Sequence, residues 1–133
     1  MVFSAHNKYM SAIFITFSGN CKNALTYYQT CFGGTLQFET FERELAGYVD
    51  LPVVSGTLVS DSIVIHGSDL VYNEGRILGN YMSIFLHCKT TDDRRILLEK
   101  MRLNKAYDYN RNKEDQKLIE VIDRFDVRWI FGI

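Results

Sequence analysis

The sequence of 133 residues is poor in proline and cysteine and has no surplus of either charge. Proline occurs once, at Pro52, and 15 Lys and Arg residues stand against 16 Asp and Glu residues. A nucleic-acid-binding surface needs an excess of basic residues, so this balance argues against a nucleic-acid partner. No stretch approaches the roughly 18 consecutive apolar residues of a membrane-spanning helix, and we predict no membrane association.

The first ten residues lack the charged start and apolar core of a secretory signal, so we expect a short leader over residues 1–10. The three cysteines are odd in number. Cys21 and Cys31 fall on one predicted helix, about 15 Å apart at roughly 1.5 Å per residue, which is too far for a disulfide. We therefore predict reduced, chemically inert thiols in a cytoplasmic protein.

Aromatic residues, by contrast, are abundant at 14% of the chain, and hydrophobic residues as a whole reach 47%. This hydrophobic content excludes a disordered chain. A chain of this length buries roughly 70% of the surface that its unfolded form exposes. We therefore predict one folded domain over residues 11–133 that needs neither a metal nor a disulfide for stability.

The first part of this domain has the pattern of a strand followed by a helix. Residues 11–18 are β-branched and aromatic, which favours a strand. Asn20 is a suitable helix N-cap, and apolar residues then recur at helical spacing up to Phe32. Gly33 and Gly34 end the helix, because glycine accepts the left-handed conformation found at helix C-termini.

Three further strands are predicted in this half, over residues 35–42, 53–59 and 62–66. The two residues between the last two strands form a hairpin turn. Loops are predicted over residues 43–52 and over the glycine-containing segment 67–79.

The same order of elements then starts again. Residues 80–88 have strand composition, and the charged run 92–95 is predicted as the solvated start of a second helix whose apolar stripe includes Ile96 and Met101. Two strands, over residues 118–123 and 127–133, close the chain. The repeated order indicates two modules of similar build.

Three stretches carry motifs whose order and spacing resemble a known family. They are the strand, Gly-Asn, helix and Phe-Gly-Gly sequence from Phe17 to Gly34, the hairpin strand from Asp61-Ser62 to Ser68-Asp69, and the closing Asp-Arg-Phe-Asp-Val-Arg-Trp from Asp123 to Trp129. Together they resemble the vicinal-oxygen-chelate superfamily of glyoxalase I, bleomycin-resistance proteins and extradiol dioxygenases, and within it the PhnB-like branch. The resemblance covers residues 11–133.

This resemblance implies an α+β fold of two βαβββ modules, about 11–69 and 80–133, whose curved mixed sheets surround a cavity that a homodimer completes. It also implies where metal-using members place their ligands. The corresponding positions here are Ile13, Ser55 or Gly56, Ser83 and Ile130. None is a histidine or a carboxylate, which a divalent metal requires, so we expect neither a metal nor another cofactor.

The candidate ligand-binding residues are the side chains that the resemblance would place on the cavity wall or at its mouth: Ile13, Ile15, Phe17, Ser83, Phe85, His87, Tyr109 and Trp129. Among them, His87 is a candidate hydrogen-bond partner or proton acceptor. For the aromatic residues the alternative is a place in the core or in a dimer interface. No catalytic residue is predicted.

Three functions remain open at this point. The one we predict is metal-free binding of a small aromatic molecule, because apolar, aromatic-lined sites with few polar groups commonly bind small molecules. An enzyme of the same superfamily, a metal-dependent lyase, isomerase or dioxygenase, is the alternative. The third is a dimeric scaffold whose interior is filled by its own side chains.

Overall fold

The computed structural model describes residues 11–42, 51–69, 78–102 and 116–133. The predicted leader, most of both predicted loops and Tyr109 lie outside these ranges. The chain divides into two compact units, Met1–Arg76 and Ile77–Ile133. The described elements are β1 (Ile13–Phe17), α1 (Cys21–Phe32), β2 (Thr35–Thr40), β3 (Val53–Val59), β4 (Val64–Asp69), β5 (Ile84–His87), α2 (Thr91–Arg102), β6 (Leu118–Ile122) and β7 (Arg128–Gly132).

The first unit is one helix on a four-stranded mixed sheet of order β1-β4-β3-β2. β1 runs parallel to β4, whereas β3 is antiparallel to both β2 and β4. The predicted hairpin between β3 and β4 is confirmed. β4 continues to Asp69, however, so the prediction that residues 67–69 belong to a loop is wrong, because these residues pair with β1.

The apolar stripe of α1 packs on this sheet where two neighbouring glycines face it. A Cβ atom on Gly56 would lie 2.7 Å from Cδ1 of Leu25, and one on Gly67 would lie 3.1 Å from Sγ of Cys21. These two glycines are register partners on β3 and β4. The absence of side chains at both positions therefore allows the close approach of the helix.

The N-terminus of α1 is capped by a residue that is distant in sequence. Asn20 occupies the N-cap position, as predicted, but its side chain makes no capping hydrogen bond. Instead, Oδ1 of Asp69 accepts hydrogen bonds from the backbone N–H groups of Gly19 and Cys21, at 2.8 Å and 3.0 Å. The helix ends before Gly33, as predicted, although Gly33 has a φ of 74° with a ψ of −165° and so is not in the left-handed helical conformation.

The second unit holds α2 and a three-stranded sheet of order β5-β7-β6. β5 is parallel to β7, and β6 is antiparallel to β7. The start of α2 is not fully solvated as predicted, because Arg94 is only 1% exposed and donates to the carbonyl oxygen of Phe131. Ile96, in contrast, is 46% exposed and lies outside the buried stripe, which includes Leu98 and Met101.

These two mixed sheets, each with a helix, confirm the α+β prediction and agree with the βαβββ plan. No helix among the described residues is long and apolar enough to cross a membrane.

Candidate functional site

Each sheet has one face that is buried and one that is open. In the first unit the buried face is the one that carries Gly56 and Gly67, against α1. In the second unit Ile119, Trp129 and Phe131 are buried, and the alternate positions of the same strands are more exposed. Side chains alternate between the two faces of a strand, so every second residue lies on the same face. This rule shows on which face each remaining strand residue lies.

The open face of the second sheet carries apolar side chains on all three of its strands. Phe85 is 59% exposed on β5 and Leu118 is 57% exposed on β6, with Ile122 also exposed. Ile130 lies between the outer strands on β7, where it pairs with both Phe85 and Glu120. We call the surface formed by Phe85, Leu118, Ile122, Ile130 and Gly132 the aromatic face.

Gly132 determines how Phe85 lies on the aromatic face. A Cβ atom on Gly132 would be 2.9 Å from both Cε2 and Cζ of Phe85 and 3.4 Å from Cδ2 of Leu118. The phenyl ring therefore lies across the bare backbone of β7. This arrangement presents the ring to solvent as a flat apolar surface.

Polar side chains flank the aromatic face. His87 is the register partner of Gly132 and is exposed. Arg128 on β7 donates through Nη2 to Oε1 of Glu120 on β6 at 2.6 Å. The Nε atom of Arg128 is buried and has no hydrogen-bond partner among the residues that the structure describes. The ion pair leaves the face with both a donor and an acceptor group but little net charge.

Behind the aromatic face, the second unit has a tightly bonded core. The indole Nε1 of Trp129 donates to Oδ2 of Asp123 at 2.8 Å, and the Trp129 ring stacks on Phe131 with 5.9 Å between centroids. Both aromatic residues are fully buried. Trp129 is thus a core residue, which was the stated alternative to a place near the cavity mouth.

The open face of the first sheet is different in chemistry. One row crosses its four strands, from Phe14 through His66 and Thr57 to Gln37. His66 Nδ1 and Thr57 Oγ1 lie 3.0 Å apart in a hydrogen bond. We call this surface, together with Thr16, Glu39 and Ser68 in the adjoining row, the polar face. The predicted strand ended at residue 66, whereas the structure places His66 within β4.

The structure separates the predicted ligand-binding residues. Phe85 and His87 lie on the open side of β5, and Ser83 is exposed immediately before that strand. Phe17 is fully buried among core residues, beside Cys21 and Gly67. Ile13 and Ile15 share the Phe17 side of β1 by parity, so Phe14 and Thr16 occupy its open side.

The residues at the ligand positions of metal-using relatives do not form a metal site. Ile13 and Gly56 lie on the helix-covered side of the first sheet, while Ser55 is exposed on β3. Ser83 and Ile130 offer no imidazole or carboxylate. In the described ranges, no group of three or more His, Cys, Asp or Glu residues is placed to hold a metal ion.

The described cysteines are free, buried thiols. Burial, together with the smaller effect of the nearby Asp69 carboxylate, raises the pKa of the Cys21 thiol to about 12. Burial also raises the pKa of Cys88. Because the thiolate is the nucleophilic form, neither cysteine is suited to nucleophilic chemistry.

No family model matches the sequence, and no curated protein matches it. Solved structures do. The PhnB protein from Bacillus cereus, a proposed 3-demethylubiquinone-9 3-methyltransferase, matches with a TM-score of 0.69 at 16% identity over 92% of this chain and 97% of its own.

Two other solved structures have the same fold. Protein PA1353 from Pseudomonas aeruginosa matches with a TM-score of 0.66 at 21% identity, covering 94% of this chain and 97% of its own. The fosfomycin resistance protein FosX from Mesorhizobium loti has a TM-score of 0.60 at 11% identity, with coverages of 95% and 91%. The predicted vicinal-oxygen-chelate fold, with its likeness to PhnB-like proteins, is confirmed.

Proposed function

We propose that this protein binds a small, planar and largely apolar organic molecule on the aromatic face. The observation that carries the proposal is the exposure of Phe85, laid flat over Gly132 with Leu118 beside it. An exposed aromatic ring held in one orientation stacks on a planar ligand at little entropic cost. The apolar surface around it favours a molecule that is itself mainly apolar.

The polar groups beside the ring support a small molecule as the occupant. His87 lies beside Gly132, and Glu120, which is bonded to Arg128, lies beside Ile130. Small-molecule sites combine such an apolar surface with a few polar groups that fix the orientation of the ligand. FosX, a relative in fold, is named for resistance to a small organic compound.

Metal-dependent chemistry does not fit the residues found at the positions where metal-using members place their ligands. A divalent metal requires converging imidazole, thiolate or carboxylate ligands. The side chains of Ile13, Ser83 and Ile130 supply none of these groups. We therefore propose binding without a metal and derive no reaction.

We further propose that the protein is a cytoplasmic homodimer. Three free thiols support the compartment. Dimers are common among relatives in this superfamily. Light scattering of the intact protein should give about twice the chain mass of 15.4 kDa, and a monomer at all concentrations would contradict the dimer.

The ligand site is tested by substituting Phe85. We expect quinoline, indole or naphthol to bind the intact protein, and Phe85→Ala to weaken that binding about tenfold or more. Burying a phenylalanine side chain contributes roughly 1.5–3 kcal/mol, and each 1.4 kcal/mol is a factor of about ten. The measurement is the dissociation constant from equilibrium titration.

Phe14→Ala is the matched control, because Phe14 is an exposed phenylalanine of the other unit. The control should bind as tightly as the unmodified protein. Loss of binding in both variants, or in neither, would contradict the proposed site.

A further inference from the structure

The ion pair on the aromatic face determines which polar groups a ligand meets there. Arg128 Nη2 lies 2.6 Å from Glu120 Oε1, and both side chains are on the open side of the second sheet. The exposed fraction is 51% for the Glu120 side chain and 23% for that of Arg128. Both groups therefore reach the surface, where a ligand on the aromatic face can contact them.

Glu120 lies in the same row of the sheet as the exposed phenylalanine. β7 lies between β5 and β6, and Ile130 is the register partner of both Phe85 and Glu120. Neighbouring strands are about 4.8 Å apart, so about 10 Å separates the backbones of Phe85 and Glu120. A fused two-ring molecule can span this distance over Ile130, with one ring against Phe85 and its far edge at the ion pair.

The ion pair does not use all the hydrogen-bonding groups of its two side chains. Oε1 of Glu120 accepts from Arg128, whereas Oε2 accepts no hydrogen bond from a described residue. A guanidinium group has five N–H donors. The donor at Nε is buried, so a ligand can reach only the terminal nitrogens. The pair thus presents an acceptor, Oε2, next to terminal N–H donors.

The closeness of the two opposite charges disfavours a charged ligand. A carboxylate that bonded to Arg128 would also lie close to the Glu120 carboxylate, and an amidinium group that bonded to Glu120 would lie close to the guanidinium. Repulsion between the like charges would offset much of the attraction between the opposite ones. A neutral group that has a donor beside an acceptor can bond to both side chains without this repulsion.

We propose that the ligand of the aromatic face is a neutral planar lactam, a fused ring system in which an N–H group is adjacent to a carbonyl group. The lactam N–H donates to Oε2 of Glu120, and the carbonyl oxygen accepts from a terminal N–H of Arg128. Both residues then determine specificity, because hydrogen bonds to charged groups are stronger than those between neutral groups. This inference rests on the proposed function, since the same face binds the rings of the lactam.

Equilibrium titration of the intact protein with 2-quinolinone and N-methyl-2-quinolinone tests the proposal. The two compounds share their rings and carbonyl group, but methylation removes the N–H group that would donate to Glu120. We expect 2-quinolinone to bind about tenfold more tightly than its N-methyl derivative, as expected for one hydrogen bond to a charged group. Quinoline-2-carboxylate, which is anionic, should also bind more weakly than 2-quinolinone.

Glu120→Gln tests whether Glu120 is responsible for this preference. The amide oxygen can still accept from Arg128, which leaves an NH2 group in place of Oε2. The ratio of the two dissociation constants should therefore fall from about ten to about one. A general change in affinity cancels in this ratio. Glu99→Gln is the matched control, because the Glu99 side chain is 55% exposed and pairs with Arg95 on α2. It should leave the ratio at about ten.

The proposal is overturned if the two quinolinones bind equally, if quinoline-2-carboxylate binds as tightly as 2-quinolinone, or if Glu120→Gln keeps the original ratio. In each of these cases the proposed function still holds, provided that quinoline binds the intact protein and binds Phe85→Ala more weakly. If no aromatic compound binds, the proposed function fails, and the lactam proposal fails with it.

Discussion

One buried aspartate in each unit accepts hydrogen bonds from at least three N–H groups of the described residues. Asp69 accepts from Gly19, Cys21 and Val53. Asp123 accepts from the backbone of Phe125 and Val127 and from the indole of Trp129. Asp69 connects segments that are apart in sequence, whereas Asp123 holds the short connection between β6 and β7. Both roles are structural and use both oxygen atoms of the carboxylate.

Asp123→Asn should lower the free energy of unfolding by about 2–3 kcal/mol. The substitution replaces one carboxylate oxygen with an NH2 group, which would then face the N–H groups that now donate to Asp123. Urea unfolding followed by Trp129 fluorescence measures this change, since the indole is buried in the folded unit. Asp61→Asn is the control, at an exposed turn residue. Equal midpoints for the two variants would contradict the role of Asp123.

Cys21 should resist alkylation by iodoacetamide at pH 8 in the native protein and react readily in urea. Its folded pKa is about 12 against an ordinary value of 9.0. Between these values the folded state holds more protons than the unfolded state, so the free energy of unfolding should fall as pH rises above 9.0. Rapid labelling of Cys21 in the native protein would contradict this assignment.

At the scale of elements, the connection from α1 to β2 depends on a pair of glycines with different surroundings. Gly33 and Gly34 have φ values of 74° and 101°, which favour glycine. A Cβ atom on Gly34 would lie 2.2 Å from the carbonyl oxygen of Val59, whereas one on Gly33 would meet nothing within 4 Å. The second glycine therefore fixes how closely β2 follows the end of β3.

This difference makes Gly33→Ala a matched control for Gly34→Ala. The positive φ alone should cost either variant about 1–2 kcal/mol. Gly34→Ala should lose about 1–3 kcal/mol more, because the backbone around Val59 must shift. Chemical denaturation compares the two, and equal losses of stability would show that the contact with β3 does not matter.

Most helices and strands were predicted from the sequence. The predictions that failed did so because of contacts between residues that are distant in sequence. Local composition was sufficient for α1 and for the β3–β4 hairpin. It was not sufficient for the end of β4, because glycine at position 67 signals a loop locally but here makes room for α1. Nor did charge reveal that Arg94 is buried, because its carbonyl partners, Lys117 just before β6 and Phe131 on β7, are distant in sequence.

Across the whole chain, the alternation of side chains along a strand determined which of the predicted site residues lie on an open face. Period-two alternation grouped Ile13, Ile15 and Phe17 correctly but gave no indication of which side the helix covers. The structure shows that side to be theirs, so the group lies with the core. For β5, the resemblance put Phe85 and His87 on one side of the strand, and the structure shows this to be the open side.

The two units therefore repeat one plan with different open faces. Buried positions are constrained by packing in both, whereas the open positions differ in composition: hydroxyl, amide and imidazole groups in the first unit, and apolar groups in the second. This divergence is invisible to a search for repeated elements, because it concerns only the alternate residues of each strand.

The most direct test of the proposed function is a methyl-detected magnetic resonance titration of the full chain with quinoline. We expect saturable shifts for the methyl groups of Leu118, Ile122 and Ile130, and no shifts for Val59 and Val64 of the first unit. Shifts confined to the first unit, or no saturable shift on the aromatic face, would contradict the proposed function.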